Sequence, residues 1–248
     1  YKTLETDFSD FRPFPSRIDV VVHTAASLSI GETTKTEFRR NNVDLTRNLV
    51  NYAIDAGARL FIFFSAISVY GSVETSIVSE KTRCANPDPY SLSKLESEAY
   101  LAEKKCSINS LSLRLPSVQG PNAKHGWLTG VLSKMRRNEP VTFFSPDAPF
   151  NNAVHISDLT HFIDKLIASP PNGSAAINLS LNGQMPVANL LSNLKSLLRS
   201  SSILAPESEF NKKSFMIDDT LAKEKFGWRS MAVEPFLRRL ASDSAVKP

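Results

Sequence analysis

Tyr90 and Lys94 stand four residues apart in the run Tyr90-Ser91-Leu92-Ser93-Lys94. On a helix that spacing stacks both side chains on one face, a turn apart, so a phenol and an ammonium form a tunable acid/base. At roughly 4 Å and an effective dielectric of ~20, the positive charge is worth about 4 kcal/mol to a phenolate, or about three pK units. A phenol with an ordinary pKa of about 10 is then expected to titrate near neutrality, where a general base works best. Such a pair points to proton transfer coupled to hydride transfer. Asp88 as N-cap and Pro89 at the first helical position predict a helix beginning at Pro89. Its apolar stripe reads as Leu92, Leu95, Ala99 and Ala102, with Tyr90, Lys94 and Ser97 nearly opposite, so the pair is expected to face a cleft or water, not the core.

The elements that must position this helix follow from hydrophobic patterning. Residues 18–23 and 60–64 are short apolar runs of the kind buried on both faces of a parallel sheet. Between them Phe38, Asn42, Leu45, Leu49 and Ala53 recur at helical spacing, and Gly57 stands where a left-handed cap is expected. Residues 110–115 read as a third strand. Strands alternating with helices predict an α/β fold with a doubly wound parallel sheet. One part is expected over residues 1–120. A smaller, less regular part is expected over 121–248, of which 150–182 returns to the main sheet. In the second part helices are predicted over 127–137, 157–168 with Ser157 as cap, 187–198 and 221–226, and strands over 141–144 and 175–179. Ligands of parallel sheets bind beyond the carboxyl ends of the strands. His23-Thr24-Ala25-Ala26, Ser65-Ala66 and Leu115-Pro116-Ser117 all follow strands at that edge.

Composition excludes several classes. No apolar run approaches the ~18 residues a membrane-spanning helix needs, and the first residues lack a signal-peptide shape. Two cysteines, Cys84 and Cys106, make no disulfide framework, so a reducing cytoplasmic setting is expected. The four histidines show no ligand spacing, and no metal site is expected. The net charge of +4 is spread over scattered pairs such as Arg39-Arg40 and Arg136-Arg137, which reads as solvated surface and not a nucleic-acid groove.

Taken in order, several segments strongly resemble the extended short-chain dehydrogenase/reductase family, in its NAD-dependent sugar-nucleotide epimerase/dehydratase branch. They are Asp7-Phe8, Asp19 to Ala26, Asn41-Asn42-Val43, Ser65 to Gly71, Tyr90 to Lys94, Leu113 to Pro121, Val154 to Leu159 and Phe226-Gly227-Trp228. The resemblance implies a Rossmann-like dinucleotide-binding part over 1–120 and a substrate-binding part over 121–248. It implies NAD or NADP as cofactor and a small-molecule substrate, a nucleotide sugar above all, and is compatible with a homodimer. Tyr90 would exchange the proton of a sugar hydroxyl as hydride moves between its carbon and the nicotinamide, while Lys94 holds the nicotinamide ribose and tunes the phenol. Asp7 and Phe8 would contact the adenine. His23, Ala25, Ala26, Asn42, Ser65, Ala66, Leu115, Pro116 and Val118 would complete the cofactor site, and Ser27, Ser68, Ser117, Asn151 and Asn152 would meet the substrate.

Three departures from the family pattern shape the expectations. The Gly-rich turn that approaches the pyrophosphate is not among these residues, and a front segment carrying it is expected ahead of Tyr1. The family's catalytic Ser or Thr is replaced by Ala66. Ser65 is adjacent but points to the other face, and Ser68 shares the face of Ala66 if the backbone stays extended, so Ser68 is expected to compensate. The next two slots hold Ile67 and Ser68 in place of the dehydratase acids, which argues against dehydration chemistry. Finally, Asn151-Asn152 replaces the Arg that clamps the substrate diphosphate, which removes a bidentate donor. The reading is an NAD(P)-dependent epimerase or keto-reductase. A reductase of a non-sugar ketone and a low-turnover cofactor sensor or scaffold stay open as alternatives.

Overall fold

The computed structural model describes residues 14–28, 33–207 and 214–243. The expected adenine contacts at Asp7 and Phe8 lie outside the described residues. Along the chain the elements are β1 (Val20–His23), α1 (Lys35–Phe38), a π-helical turn (Arg39–Asp44), α2 (Leu45–Asp55), β2 (Leu60–Ala66), a 3₁₀ turn (Ile67–Tyr70), β3 (Ile77–Val78), α3 (Pro89–Glu103), β4 (Ser110–Leu115) and β5 (Ser117–Gln119). There follow α4 (Trp127–Arg136), β6 (Val141–Phe144), β7 (Pro149–Phe150), β8 (Ala153–His155), α5 (Ile156–Ala168), β9 (Ser174–Asn178), β10 (Met185–Pro186), α6 (Val187–Leu197), β11 (Leu204–Glu207), β12 (Met216–Ile217), α7 (Thr220–Phe226) and α8 (Val233–Asp243).

These pack as two units. The first holds the described residues up to Ser72, then Arg83–Arg114 and Lys165–Ile177. Its sheet runs in the order β1-β2-β4-β9, with β1 and β2 parallel and Val21 opposite Phe61. Of the stretch 150–182 expected to return to this sheet, Lys165–Ile177 belongs to the first unit and supplies β9, and the rest lies in the second unit. Leu60 to Phe63 are all buried, as a strand covered on both faces requires. Leu49, Val50 and Ala53 of α2 pack with Phe61, Phe63 and Leu101 of α3 into one apolar core. Burying each large side chain there contributes about 1.5–3 kcal/mol.

The second unit holds Val73–Thr82, Leu115–Asp164 and the described residues from Asn178 onward. Its core joins Leu128, Val131 and Met135 of α4 with Leu190, Leu191 and Leu194 of α6 and Phe236, Leu237 and Leu240 of α8. The small pairs β5-β8, β3-β12, β6-β11 and β7-β10 brace it. Trp228 is fully buried, edge-on to Phe162 at 5.2 Å, and its indole N–H donates to the Ser180 carbonyl. Ser157, expected as a cap, is instead the second residue of α5. Its hydroxyl lies 2.6 Å from Nδ1 of the buried His155, whose Nε2 pairs with Asp243 at 2.7 Å.

Candidate active site

The helix that bears Tyr90 and Lys94 forms as its sequence predicts. Asp88 caps it through a 2.8 Å bond from the Ser91 backbone N–H, and Pro89 takes the first helical position. The face it buries is the opposite of the expected one. Ser91, Ser93, Lys94, Ser97, Glu98 and Leu101 are buried, whereas Leu92, Ala99 and Ala102 are exposed. A polar face can be buried because each group on it is satisfied within the first unit. Ser91 Oγ donates to Ser68 Oγ at 2.7 Å, Ser93 Oγ to the Tyr90 carbonyl at 2.6 Å, and Ser97 Oγ to the Ser93 carbonyl at 2.9 Å. Lys94 Nζ donates to the Phe64 carbonyl at 2.8 Å.

That last bond puts the ammonium at the carboxyl end of β2, over the Phe63 ring at 4.8 Å and 5.7 Å from the Tyr90 ring centroid. Lys94 is only 2% exposed, and burial lowers its pKa to about 8 against a smaller upward pull from Glu98. The Tyr90 phenol is raised above its ordinary value, by burial first and the Asp88 carboxylate second. This corrects the expectation of a phenol tuned toward neutrality: a half-buried phenol loses hydration, and part of the Lys94 charge is spent on a carbonyl. Tyr90 is therefore protonated at neutral pH in this arrangement, with its ring edge-on to Phe38 at 6.1 Å.

Asn42 gathers the surrounding loop. It lies in the π-helical turn, is 2% exposed, accepts from the Ser27 backbone N–H at 2.7 Å and donates to Ser93 Oγ at 2.9 Å. The π turn widens the helix where Asn42 must reach both neighbours. The segment after β1 is thereby tied to α3, with Ala25 exposed and Ala26 and Ser27 half-buried. His23, at the end of β1, is buried and 2.9 Å from Thr46 Oγ1. Thr46 gives its own proton to the Asn42 carbonyl, so His23 donates through Nε2–H. Burial, and secondarily Lys94, lowers its pKa to about 4, which keeps the imidazole neutral.

The serines divide differently from the expectation. Ser65 does point away from the Ala66 face, and its hydroxyl is committed to the Glu98 carboxylate at 2.5 Å, so it is no helper at Tyr90. Ser68 does not share the face of Ala66, because the extended backbone ends at Ala66 and Ile67–Tyr70 turns as a 3₁₀ helix. Gly71 closes that turn at φ 63° against the Ala85 carbonyl, where a Cβ would clash. Ser68 is exposed and receives the Ser91 hydroxyl, one residue from Tyr90.

In the second unit, Leu115 ends β4, Pro116 follows it, and Ser117 and Val118 lie in β5 beside β8. The Ser117 hydroxyl accepts from Gln119 Nε2 at 2.8 Å. Asn151 and Asn152, expected at the substrate, are committed elsewhere. Asn151 accepts from Ile217 N and donates to the Ile217 carbonyl at 3.0 and 2.8 Å, and Asn152 donates to the Phe215 carbonyl at 3.0 Å. Carboxamides can copy a strand's backbone pairing, and these two hold the β12 segment.

Sequence reasoning overlooked Glu98, Arg114, Tyr70, Ser91 and Ser93. The signal for Glu98 was its place four residues after Lys94. It also overlooked the capping box of α1, in which Thr34 and Glu37 bond each other's backbone N–H, although the Thr-x-x-Glu spacing announces it.

A parallel sheet whose strand ends meet a Tyr-Lys helix defines a Rossmann-like α/β protein. The NAD dependent epimerase/dehydratase family profile matches residues 5–180, and the chain belongs to that family. It is 24% identical over 198 residues to the ADP-L-glycero-D-manno-heptose-6-epimerase of Brachyspira hyodysenteriae, covering 76% of this chain and 62% of that protein. It is 28% identical over 194 residues to the UDP-glucose 4-epimerase of Vibrio cholerae, covering 75% of this chain and 59% of that one. The chain thus spans less than two thirds of these relatives. Among solved structures, UDP-glucuronic acid 4-epimerase from Bacillus cereus in complex with NAD superposes with a TM-score of 0.82 at 22% identity, over 97% of this chain and 79% of that one. RMD from Pseudomonas aeruginosa complexed with NADPH does so with a TM-score of 0.76 at 18% identity, over 93% and 82%. Among the described residues no helix is long and apolar enough to cross a membrane.

Proposed function

We propose that the full-length protein is an NAD(P)-dependent epimerase or keto-reductase acting on a secondary alcohol or ketone of a nucleotide sugar. The observation behind this is the pairing of Tyr90 with a buried Lys94 whose ammonium sits on the Phe64 carbonyl at the carboxyl end of β2. The residues of the first unit fit the ribose end of a dinucleotide. Lys94 spends one of three N–H donors on Phe64, which leaves two for a diol, and the small residues Ala25 and Ala26 let a ligand approach the backbone. A Gly-rich pyrophosphate turn is not among these 248 residues, so the reading of the cofactor site concerns its ribose end.

A bound nicotinamide supplies the hydride acceptor or donor. Everything else falls to the chain. In the reducing direction Tyr90, protonated at neutral pH, gives its phenolic proton to the carbonyl oxygen as hydride arrives at the carbon. In the oxidising direction the hydroxyl proton passes to the phenolate form of Tyr90, a minor species at neutral pH in this arrangement, with the Lys94 ammonium as the nearby positive charge. An epimerase performs the two in sequence on opposite faces of the same carbon. Titrating the full-length protein with NADH and NADPH, then assaying UDP-glucose and UDP-glucuronic acid for exchange of hydride and inversion, tests the reading. Cofactor binding with no exchange on any sugar nucleotide would overturn it.

A second reading, a low-turnover cofactor-binding protein, draws on one observation. Ala66 lacks a hydroxyl, and the neighbouring Ser65 hydroxyl is consumed by Glu98.

A further inference from the structure

Glu98 follows Lys94 by four residues on α3, so the two share a helical face, and they are 8% and 2% exposed. Its carboxylate is gripped from β4 by Arg114, through Nη2 to Oε2 at 2.7 Å and Nε to Oε1 at 3.1 Å. Arg114 Nη1 also donates to the Tyr70 hydroxyl at 2.9 Å. Oε1 accepts a further bond, from Ser65 Oγ. Ser65 immediately follows Phe64, whose carbonyl receives Lys94 Nζ. A closed circuit results, from α3 through Glu98, Ser65 and the Phe64 carbonyl to Lys94 and back to α3.

We propose that Glu98, held by Arg114, is a positioning residue for Lys94: it grips Ser65 and so fixes the peptide that receives the ammonium, and it sets a carboxylate one helical turn from that ammonium. The proposal rests on the reading of Lys94 as the partner of Tyr90. An ion pair serving only to join α3 to β4 would need Arg114 and Glu98 alone, and would not need Ser65 or register with Lys94. Burial drives the Lys94 pKa down to about 8 and Glu98 opposes it. The other groups facing Lys94 do not take that role. His23 of β1 is neutral and Tyr90 of α3 is protonated.

The test uses the full-length protein with 15N-lysine, the Lys94 Nζ resonance being assigned by its loss in Lys94→Arg. Glu98→Gln keeps size and a hydrogen-bond acceptor but removes the charge. It is expected to move the Lys94 midpoint down by about one pH unit or more and to shift the alkaline limb of the kcat profile equally, because activity that needs protonated Lys94 is lost as pH rises through its pKa. Ser65→Ala keeps the charge and removes the grip. It is expected to lower kcat about tenfold with KM little changed. A Lys94 midpoint in Glu98→Gln within about 0.3 units of the parent would overturn the electrostatic role, and parental kcat in Ser65→Ala would overturn the positioning role. If Glu98→Gln does not fold, Ser65→Ala decides alone. A parent protein lacking hydride exchange would sink the oxidoreductase reading, while the Nζ titration would still decide whether Glu98 controls Lys94.

Discussion

Tyr90 stays protonated where it sits, so its removal should be felt in turnover far more than in affinity. Tyr90→Phe in the full-length protein is expected to reduce kcat roughly 10²-fold or more with NAD(P) binding nearly intact. Steady-state kinetics and cofactor titration check this, and unchanged turnover would remove Tyr90 from the mechanism. Lys94→Ala should harm both quantities, because a single ammonium serves the phenol and the expected ribose. The helper hydroxyl is a separate matter. Ser91 gives its proton to Ser68, which leaves the Ser68 proton available at the start of the helix that carries Tyr90. Ser68→Ala is accordingly expected to slow hydride transfer about tenfold, or about 1.4 kcal/mol, in stopped-flow measurements. Equal rates would leave no hydroxyl in that role and favour the low-turnover reading.

At the scale of elements, the cost of losing a contact follows from what it leaves unpaired. Asn151 is 3% exposed and satisfies both backbone groups of Ile217. Asn151→Ala should destabilise the chain by about 2–4 kcal/mol, since a buried N–H and C=O lose their partners. Denaturant unfolding would show a lower midpoint with an unchanged slope. A loss below about 0.5 kcal/mol would mean that water replaces the carboxamide. The burial of α3 obeys the same accounting. Its serines, Lys94 and Glu98 go inside because partners wait for them, and Leu92 stays outside at 43% exposure despite its hydropathy.

For the molecule as a whole, pH acts through the buried His23. Its pKa falls from 6.5 to about 4 on folding. The unfolded chain therefore takes up a proton below pH 6.5 that the native state refuses until about pH 4, and stability contributed by the neutral imidazole is full above 6.5 and lost as pH falls through that window. The contribution is at most about 3 kcal/mol. His23→Asn should flatten the decline of Tm between pH 6.5 and 4 relative to the parent. Parallel declines in parent and variant would show that other groups govern acid unfolding.

What the sequence by itself determined was local or periodic. Asp88-Pro89 announces a helix start through geometry confined to a single turn, and the apolar run that becomes β2 is legible because a strand covered on both faces tolerates little else, whereas β1, read the same way, leaves Val22 exposed. The motifs in register named the family for the same reason, since each is a short segment with its own backbone requirement. Tertiary structure alone decided which face of α3 is buried, because hydropathy cannot see that Phe64, Ser68, Asn42 and Arg114 would supply partners from distant segments. It decided the direction of the Tyr90 shift, which balances desolvation against charges whose positions the spacing does not contain. It also gave Ser65, Asn151 and Asn152 partners within the chain, because those acceptors, Glu98 and the Phe215 and Ile217 backbone, come together only on folding.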